Sequence, residues 1–176
     1  MEDKDSAPTG PSVLQHWRPP DLNSYKVNFD AEIFRSSNTA GIGVMACDCA
    51  GEAIGALSMS IPLPQSVADV EALTCHRAIR FASEIGLTRV VFECDSLVII
   101  NALTTESGEL ATYGVVLDDI RVLVLGFQML DFQHVPRTCN SVADALAKKA
   151  SSALGMQVWL EDIPIDIVPL VLRDVH

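Results

Sequence analysis

The sequence lacks any apolar run approaching the ~20 residues that a membrane-spanning helix requires. Its opening stretch, Met1 to Gly10, is acidic and broken by proline and glycine, so it resembles neither a secretory signal nor an arginine-rich transit peptide. An intracellular protein, nuclear or cytoplasmic and off the membrane, is the expectation. The five cysteines (Cys47, Cys49, Cys75, Cys94, Cys139) are odd in number and scattered, and they form no CxxC pair. That pattern argues against a thiolate metal site or a disulfide framework, and for free thiols in a reducing compartment. Basic residues are few as well, 12 Lys and Arg against 23 Asp and Glu, for a net charge of −11. Such a balance is awkward for a protein that holds nucleic acid, since phosphate contacts usually come from Lys and Arg.

What is present is a chain of 176 residues, 49% of them hydrophobic, enough for one domain with a real core and too apolar for a disordered chain. Residues 1–20 read as a disordered lead-in ending at Trp17-Arg18-Pro19-Pro20, and 21–155 as the domain. Residues 156–176 form a C-terminal extension, apolar and acidic by turns, with no assignable role. There is no internal repeat, and a monomer is expected. The acid excess is less severe in the middle, where residues 17–150 carry 16 acids against 10 bases.

Tyr25 to Ile33 alternates strictly, with Tyr25, Val27, Phe29, Ala31 and Ile33 on one face and Lys26, Asn28, Asp30 and Glu32 on the other, which predicts a strand. Two strand-like runs follow, Ala40–Asp48 and Ala53–Ile61, joined by a turn at Cys49-Ala50-Gly51 and ended by Pro62 and Pro64. The period turns helical from Val67 to Ile85, and Gly86 supplies a stop. Arg89–Cys94 reads as a short strand, Asp95-Ser96 as the cap of a helix to about Leu103, Thr104–Thr112 as a polar loop and Val115–Leu125 as a helix. Phe127–Val135 reads as a strand stopped by Pro136, after which Asn140 or Ser141 caps an alanine-rich helix to about Leu154. The order β-β-β-α-β-α-α-β-α predicts an α/β fold with a five-stranded mixed sheet, three antiparallel strands then two more, flanked by helices.

Four carboxylates occupy positions where a purely structural role is uncomfortable. Asp30 lies mid-strand, although an exposed sheet face would tolerate it. Glu71 falls within the stripe Val67, Glu71, Cys75, Ala78, Ala82, Ile85, which puts a charge on an apolar helix face unless a buried cation pairs it. Asp95 follows a buried-looking strand at its carboxyl end, where α/β sheets place ligands, although a helix cap uses the same residue. Asp144 shares a helix face with Asn140 and Lys148 and could equally form an i,i+4 surface pair with Lys148. Carboxylates gathered in one sheet crevice suit hard divalent cations. Two Mg²⁺ ions roughly 4 Å apart can activate water and stabilise the leaving oxygen of a phosphodiester.

Across roughly Trp17 to Ala153 the chain resembles the plant, retroelement-type ribonuclease H-like domain. The residues that carry the resemblance are Trp17-x-Pro-Pro, Lys26-x-Asn28-x-Asp30, Gly41-x-Gly43, Glu71-Ala72 and Glu93-x-Asp95-Ser96. They end with His134-Val135-x-Arg137-x-x-Asn140-x-x-Ala143-Asp144-x-Leu146-Ala147. Gly41-Ile42-Gly43 is no phosphate loop, since it sits within a strand. The resemblance implies a ribonuclease H-like fold and hydrolysis of the RNA strand of RNA–DNA hybrids. Its metal ligands and catalytic residues would be Asp30, Glu71, Asp95 and Asp144, on two Mg²⁺ ions or on Mn²⁺ in their place. Glu71 would also contact the RNA 2′-hydroxyl region. Asn140, Arg137, Lys148 and Ser96 are the implied nucleic-acid contacts.

The chain also departs from that pattern. Ala31 stands where glycine is common, and Val135–Cys139 carries no histidine, so His134 at the strand end is read as a packing or hydrogen-bonding residue. Residues 104–113 hold two glutamates and no Lys or Arg, so the basic substrate handle of some relatives is missing and hybrid binding is expected to be weak. Two alternatives compete with this reading. A 3′–5′ exonuclease on the same fold would use Asp30-Ala31-Glu32, but it would place His or Tyr where Asn140 stands. A non-catalytic, domesticated interaction module would keep the fold with weak or lost turnover, which the acidic surface favours and the intact quartet opposes.

Overall fold

Strict alternation makes Tyr25–Phe34 the strand β1, and it is the central ruler of the sheet. The structure is a computed structural model that describes residues 18–104, 114–152 and 155–175. The lead-in up to Trp17, the polar loop at 105–113 and the end expected near Leu154 for the alanine-rich helix lie outside the described residues. A short 3-10 turn at Arg35–Ser37 and Asn38, with φ of 53°, return the chain into β2 (Thr39–Cys47), which pairs antiparallel with β1. β3 (Ala53–Pro62) continues the meander.

Ser66 caps α1 (Val67–Glu84) by accepting the Asp69 N–H at 3.1 Å, and Gly86, with φ of 84°, provides the expected stop. β4 (Arg89–Cys94) returns parallel to β1, from Tyr25 opposite Val90 to Asn28 opposite Glu93. The helices α2 (Leu97–Thr104) and α3 (Gly114–Val124) lead to β5 (Met129–His134), parallel to β4. α4 (Ser141–Lys149) follows a 3-10 turn at Arg137–Cys139.

The five-strand expectation is corrected. β6 (Met156–Leu160) pairs antiparallel with β3, giving a six-stranded sheet of order β5-β4-β1-β2-β3-β6. Gln157, Val158 and Trp159 form too short a run to read as a strand alone, but the open edge of β3 supplies its hydrogen-bond partners. The last helix, α5 (Val168–Val175), packs beside α4, with the buried Ile167 just before it and the half-buried Leu170 within it. No helix among the described residues is long and apolar enough to cross a membrane.

One sheet face buries Val27, Phe29, Ile42, Val44 and Leu57 against Cys75, Ala78, Ile79 and Phe81 of α1. The other buries Met45, Cys47 and Ala56 against Val142 and Leu146 of α4. The second layer depends on glycine. A Cβ on Gly43 would stand 2.1 Å from the Ala143 carbonyl oxygen, and one on Gly41 2.1 Å from that of Ala147. Gly41-x-Gly43 therefore lets the α4 backbone lie directly on β2, where Ser58 Oγ donates to the Leu146 carbonyl at 2.8 Å.

With helices on both faces, the polar side of β1 is not a solvated face. Lys26 and Asn28 are 9% and 6% exposed. A central strand flanked by a parallel neighbour is covered on both sides, which alternation alone does not reveal.

Candidate functional site

The pairing of β1 with β4 ends at Asn28 and Glu93, yet β1 runs on against β2 to Phe34. Beyond that point the two parallel strands part and the chain of β4 turns away at Asp95. A cleft opens there, at the carboxyl end of β4, as expected where strands diverge in an α/β sheet. Its lining includes Asp30 and Ala31 of β1, Glu71 of α1, and Asp95 and Ser96 after β4.

Glu71 reaches the cleft because α1 overhangs the sheet at its first turns. The apolar stripe holds for Cys75, Ala78 and Ala82, all fully buried, but Val67 is 54% exposed and lines the cleft with Glu71. Asp144, in the first turn of α4, is the fourth carboxylate. It is not part of that lining, but its charge reaches Asp30. Burial first, then the Asp95 and Asp144 carboxylates, push the Asp30 carboxyl up to about 7, against the downward pull of the Ala31 N–H and the Arg137 charge. The Ala31 N–H donates to Asp30 Oδ1 at 2.9 Å.

The donor chemistry of this group suits a hard cation. Oδ1 of Asp144 is buried and has no hydrogen-bond partner among the described residues, while Oδ2 accepts from Lys148 Nζ at 2.8 Å. Ser96 Oγ is also buried and unpartnered there, so its hydroxyl does not cap α2 as expected and is left at the cleft. Among the described residues, however, no three His, Cys, Asp or Glu side chains stand close enough to share one ion. Asp30, Glu71 and Asp95 line the cleft, with Asp144 outside its lining, and together they form no closed cage.

The remaining expected contacts differ in placement. Arg137 is exposed on the 3-10 turn before α4, and Lys148 is exposed, with its ammonium held more firmly protonated by the adjacent Asp144 carboxylate. Asn140, expected as a nucleic-acid contact, is 2% exposed. Its Nδ2 donates to the Phe29 carbonyl at 2.9 Å and its Oδ1 accepts from Asn28 at 3.2 Å, so it makes no side-chain cap on α4 and ties that helix to β1 instead. His134 is exposed, with Nε2 3.2 Å from the Asp95 carbonyl oxygen, so it hydrogen-bonds at the rim of the cleft rather than packing.

Sequence reading assigned no role to Lys26, Asn28 or Glu93. All three are buried and joined: Lys26 Nζ lies 3.4 Å from Glu93 Oε2, and Asn28 Nδ2 lies 3.3 Å from Glu93 Oε1. The signal available was two polar residues on a strand that also has a parallel partner.

This geometry is matched by known folds. The chain is similar to RNase H1 from the halophilic archaeon Halobacterium salinarum, with 24% identity over 73% of this chain and 98% of that one, at a TM-score of 0.64. It is similar to LC11-RNase H1, solved in complex with an RNA/DNA hybrid, with 23% identity over 72% of this chain and 96% of that one, also at 0.64. The protease-reverse transcriptase of prototype foamy virus matches at 16% identity and a TM-score of 0.59, over 81% of this chain and 23% of the viral one. The fold is thus ribonuclease H-like. No curated protein matches the chain significantly. The sequence model described as Reverse transcriptase-like spans residues 28–150, from Asn28 at the buried junction through all four acids to the end of α4, and the chain belongs to that family.

Proposed function

We propose that this domain is an endonuclease that hydrolyses the RNA strand of RNA–DNA hybrids by a two-metal mechanism, within the plant, retroelement-type lineage that its motifs resemble. The observation that carries the reading is the cleft where β1 outruns β4, lined by Asp30, Glu71 and Asp95, with Asp144 close enough to shift Asp30. Asp30, Glu71, Asp95 and Asp144 would hold the cations, and Mg²⁺ bound there would supply Lewis acidity for water activation and for the leaving 3′-oxygen. The likeness to RNase H1 proteins, one of them solved on an RNA/DNA hybrid, supports the choice of substrate.

The protein's own groups do the rest. Asp30 and Asp95 line the site from the two strands that diverge there. Glu71 lines the cleft from α1 and would meet the 2′-hydroxyl side of an RNA strand. Ser96 Oγ, buried and without a hydrogen-bond partner among the described residues, would donate to a phosphate oxygen that enters the cleft. Arg137 and Lys148 offer exposed cations on the α4 side for the backbone of the hybrid, and Asn140 holds α4 in place.

The deciding experiment is incubation of the purified chain with a labelled RNA–DNA hybrid, RNA duplex, DNA duplex and single-stranded DNA, with Mg²⁺ or Mn²⁺ and with chelator. Internal cuts in the RNA strand of the hybrid alone, dependent on metal, are expected. Stepwise trimming of single-stranded DNA would instead identify an exonuclease, and hybrid binding without cleavage a non-catalytic module.

A further inference from the structure

Behind the cleft, four side chains withdrawn from solvent join the three segments carrying Asp30, Asp95 and Asp144. Lys26, Asn28, Glu93 and Asn140 are all at most 9% exposed. Lys26 Nζ lies 3.4 Å from Glu93 Oε2. The Asn28 amide nitrogen lies 3.3 Å from Glu93 Oε1, 3.2 Å from Asn140 Oδ1 and 3.5 Å from the Cys139 carbonyl. Asn140 Nδ2 in turn donates to the carbonyl of Phe29 at 2.9 Å, and the Asn140 carbonyl accepts the Asp144 N–H at 3.1 Å.

The register of this network against the acids is regular. Asn28 and Glu93, paired on the adjacent parallel strands β1 and β4, each stand two residues before a carboxylate, Asp30 within β1 and Asp95 just after β4. Asn140 stands one helical turn before Asp144 and bonds the peptide that leads into Asp30. Within β1 the two-residue step repeats the strand period, so Asn28 shares a face with Asp30, while Asp95 lies just past the end of β4, where the chain turns away. A chain of buried hydrogen bonds with a paired charge at one end is stiff because each member left unpartnered would be costly.

We propose that Lys26, Asn28, Glu93 and Asn140 form a buried polar strut that sets the separation of the Asp30, Asp95 and Asp144 segments, as positioning residues and not as ligands. The inference rests on the proposed metal-dependent function for its consequence, but its structural content does not need metal. Removing the Asn28 amide takes away its bonds to Glu93, Asn140 and the Cys139 carbonyl while leaving all four carboxylates in the chain.

The test compares wild type, Asn28→Leu and, as a control for general destabilisation, Ile79→Val in the fully buried α1 layer. Amide hydrogen exchange of the metal-free chain is read at Asp30–Ala31 and at residues 140–144. Mg²⁺ affinity by calorimetric titration, and kcat and KM on a hybrid, are read alongside. Asn28→Leu is expected to speed exchange at both places by about tenfold. It should also weaken Mg²⁺ binding by roughly 10- to 100-fold, as loss of an outer-shell partner does. kcat should fall in step, with KM for the hybrid holding within about twofold. Ile79→Val should leave local exchange and Mg²⁺ affinity near wild type despite a lower melting temperature. Should Asn28→Leu fail to fold, Asn140→Ser is the substitute, since serine still suits a helix start but cannot span to Phe29. Unchanged exchange at both segments in a folded variant overturns the strut. Faster exchange in a protein whose wild type neither binds Mg²⁺ nor cuts hybrids upholds the strut and overturns the nuclease.

Discussion

Asp30 carries opposing demands. The strand holds it half-buried beside two other carboxylates, which raises its carboxyl to about 7 and makes its ionised form unfavourable in the folded, metal-free chain. Because the folded value lies above the unfolded one, its contribution to stability is complete below about pH 4 and is lost as pH rises through 7. Asp30→Asn should therefore stabilise the metal-free protein at pH 8, by an amount on the order of 1–3 kcal/mol, and change it little at pH 4. Millimolar Mg²⁺ should stabilise the wild type by linkage and leave the variant almost unmoved. Thermal melts in chelator and in Mg²⁺ at the two pH values check both halves. An equal Mg²⁺ response in the variant would locate the ion elsewhere. Activity orders three further residues. Asp95→Asn should reduce cleavage to background, since Asp95 lines the cleft directly. His134→Ala, losing a ring that bonds the Asp95 carbonyl from the rim, should fall roughly 10- to 100-fold, short of the upper range for a general acid or base. Lys148→Ala should raise KM about two- to threefold as an exposed phosphate contact does. Steady-state rates on one hybrid give the order, and a His134→Ala as inactive as Asp95→Asn would make this a histidine-assisted nuclease.

The helix α4 is positioned by what β2 lacks. Gly41 and Gly43 leave no side chain between sheet and helix, and Ala143, Ala147 and Ala150 present small surfaces in return. Gly43→Ala should destabilise the domain by about 3 kcal/mol or more, because the clash at 2.1 Å is with backbone that cannot rotate away. The same variant should blunt the Mg²⁺ response, as Asp144 follows Ala143 directly. Gly126→Ala is the matched control. Its Cβ would meet only the Leu123 carbonyl at 3.5 Å, and its melting temperature should stay within a few degrees of wild type. Chemical denaturation of the pair measures the difference. The Gly-x-Gly spacing was visible in the sequence, and its place inside a strand ruled out a phosphate loop. Its reason was not visible, since it depends on a helix that arrives much later in the chain.

Taken whole, the chain is acidic where its proposed substrate is acidic too. With Arg137 and Lys148 as the exposed cations assigned to the hybrid, few counterions can be released on binding. The dependence of log affinity on log salt should have a slope of about −2, as for neutralising two phosphates. Fluorescence anisotropy on a labelled hybrid across salt concentrations measures it, and a slope of about −6 would reveal cationic contacts beyond Arg137 and Lys148. The sheet has its own large-scale feature, an edge completed by the C-terminal segment. Truncation after Gly155 removes β6 and the buried Ile167, exposes the β3 edge and should lower the melting temperature by about 5–10 °C with increased aggregation.

Local chemistry determined much of this protein. Alternation over Tyr25–Ile33, the helical stripe from Val67 and the stops at Pro62, Gly86 and Pro136 each depend on residues close together in the chain, so the α/β order could be read directly. Each of the four acids had an ordinary local reading of its own, and they stood out only as a set that one sheet crevice could collect. Only the tertiary structure decided the rest, since it depends on neighbours remote in sequence. β6 exists because β3 offers an edge, and Lys26 and Asn28 are buried because α4 covers a face that alternation marks as polar. Asn140 is a brace instead of a surface contact because Asn28 and Phe29 meet it, 112 and 111 residues away along the chain. The separation of the carboxylates, which governs any chemistry they perform, is set by that long-range packing.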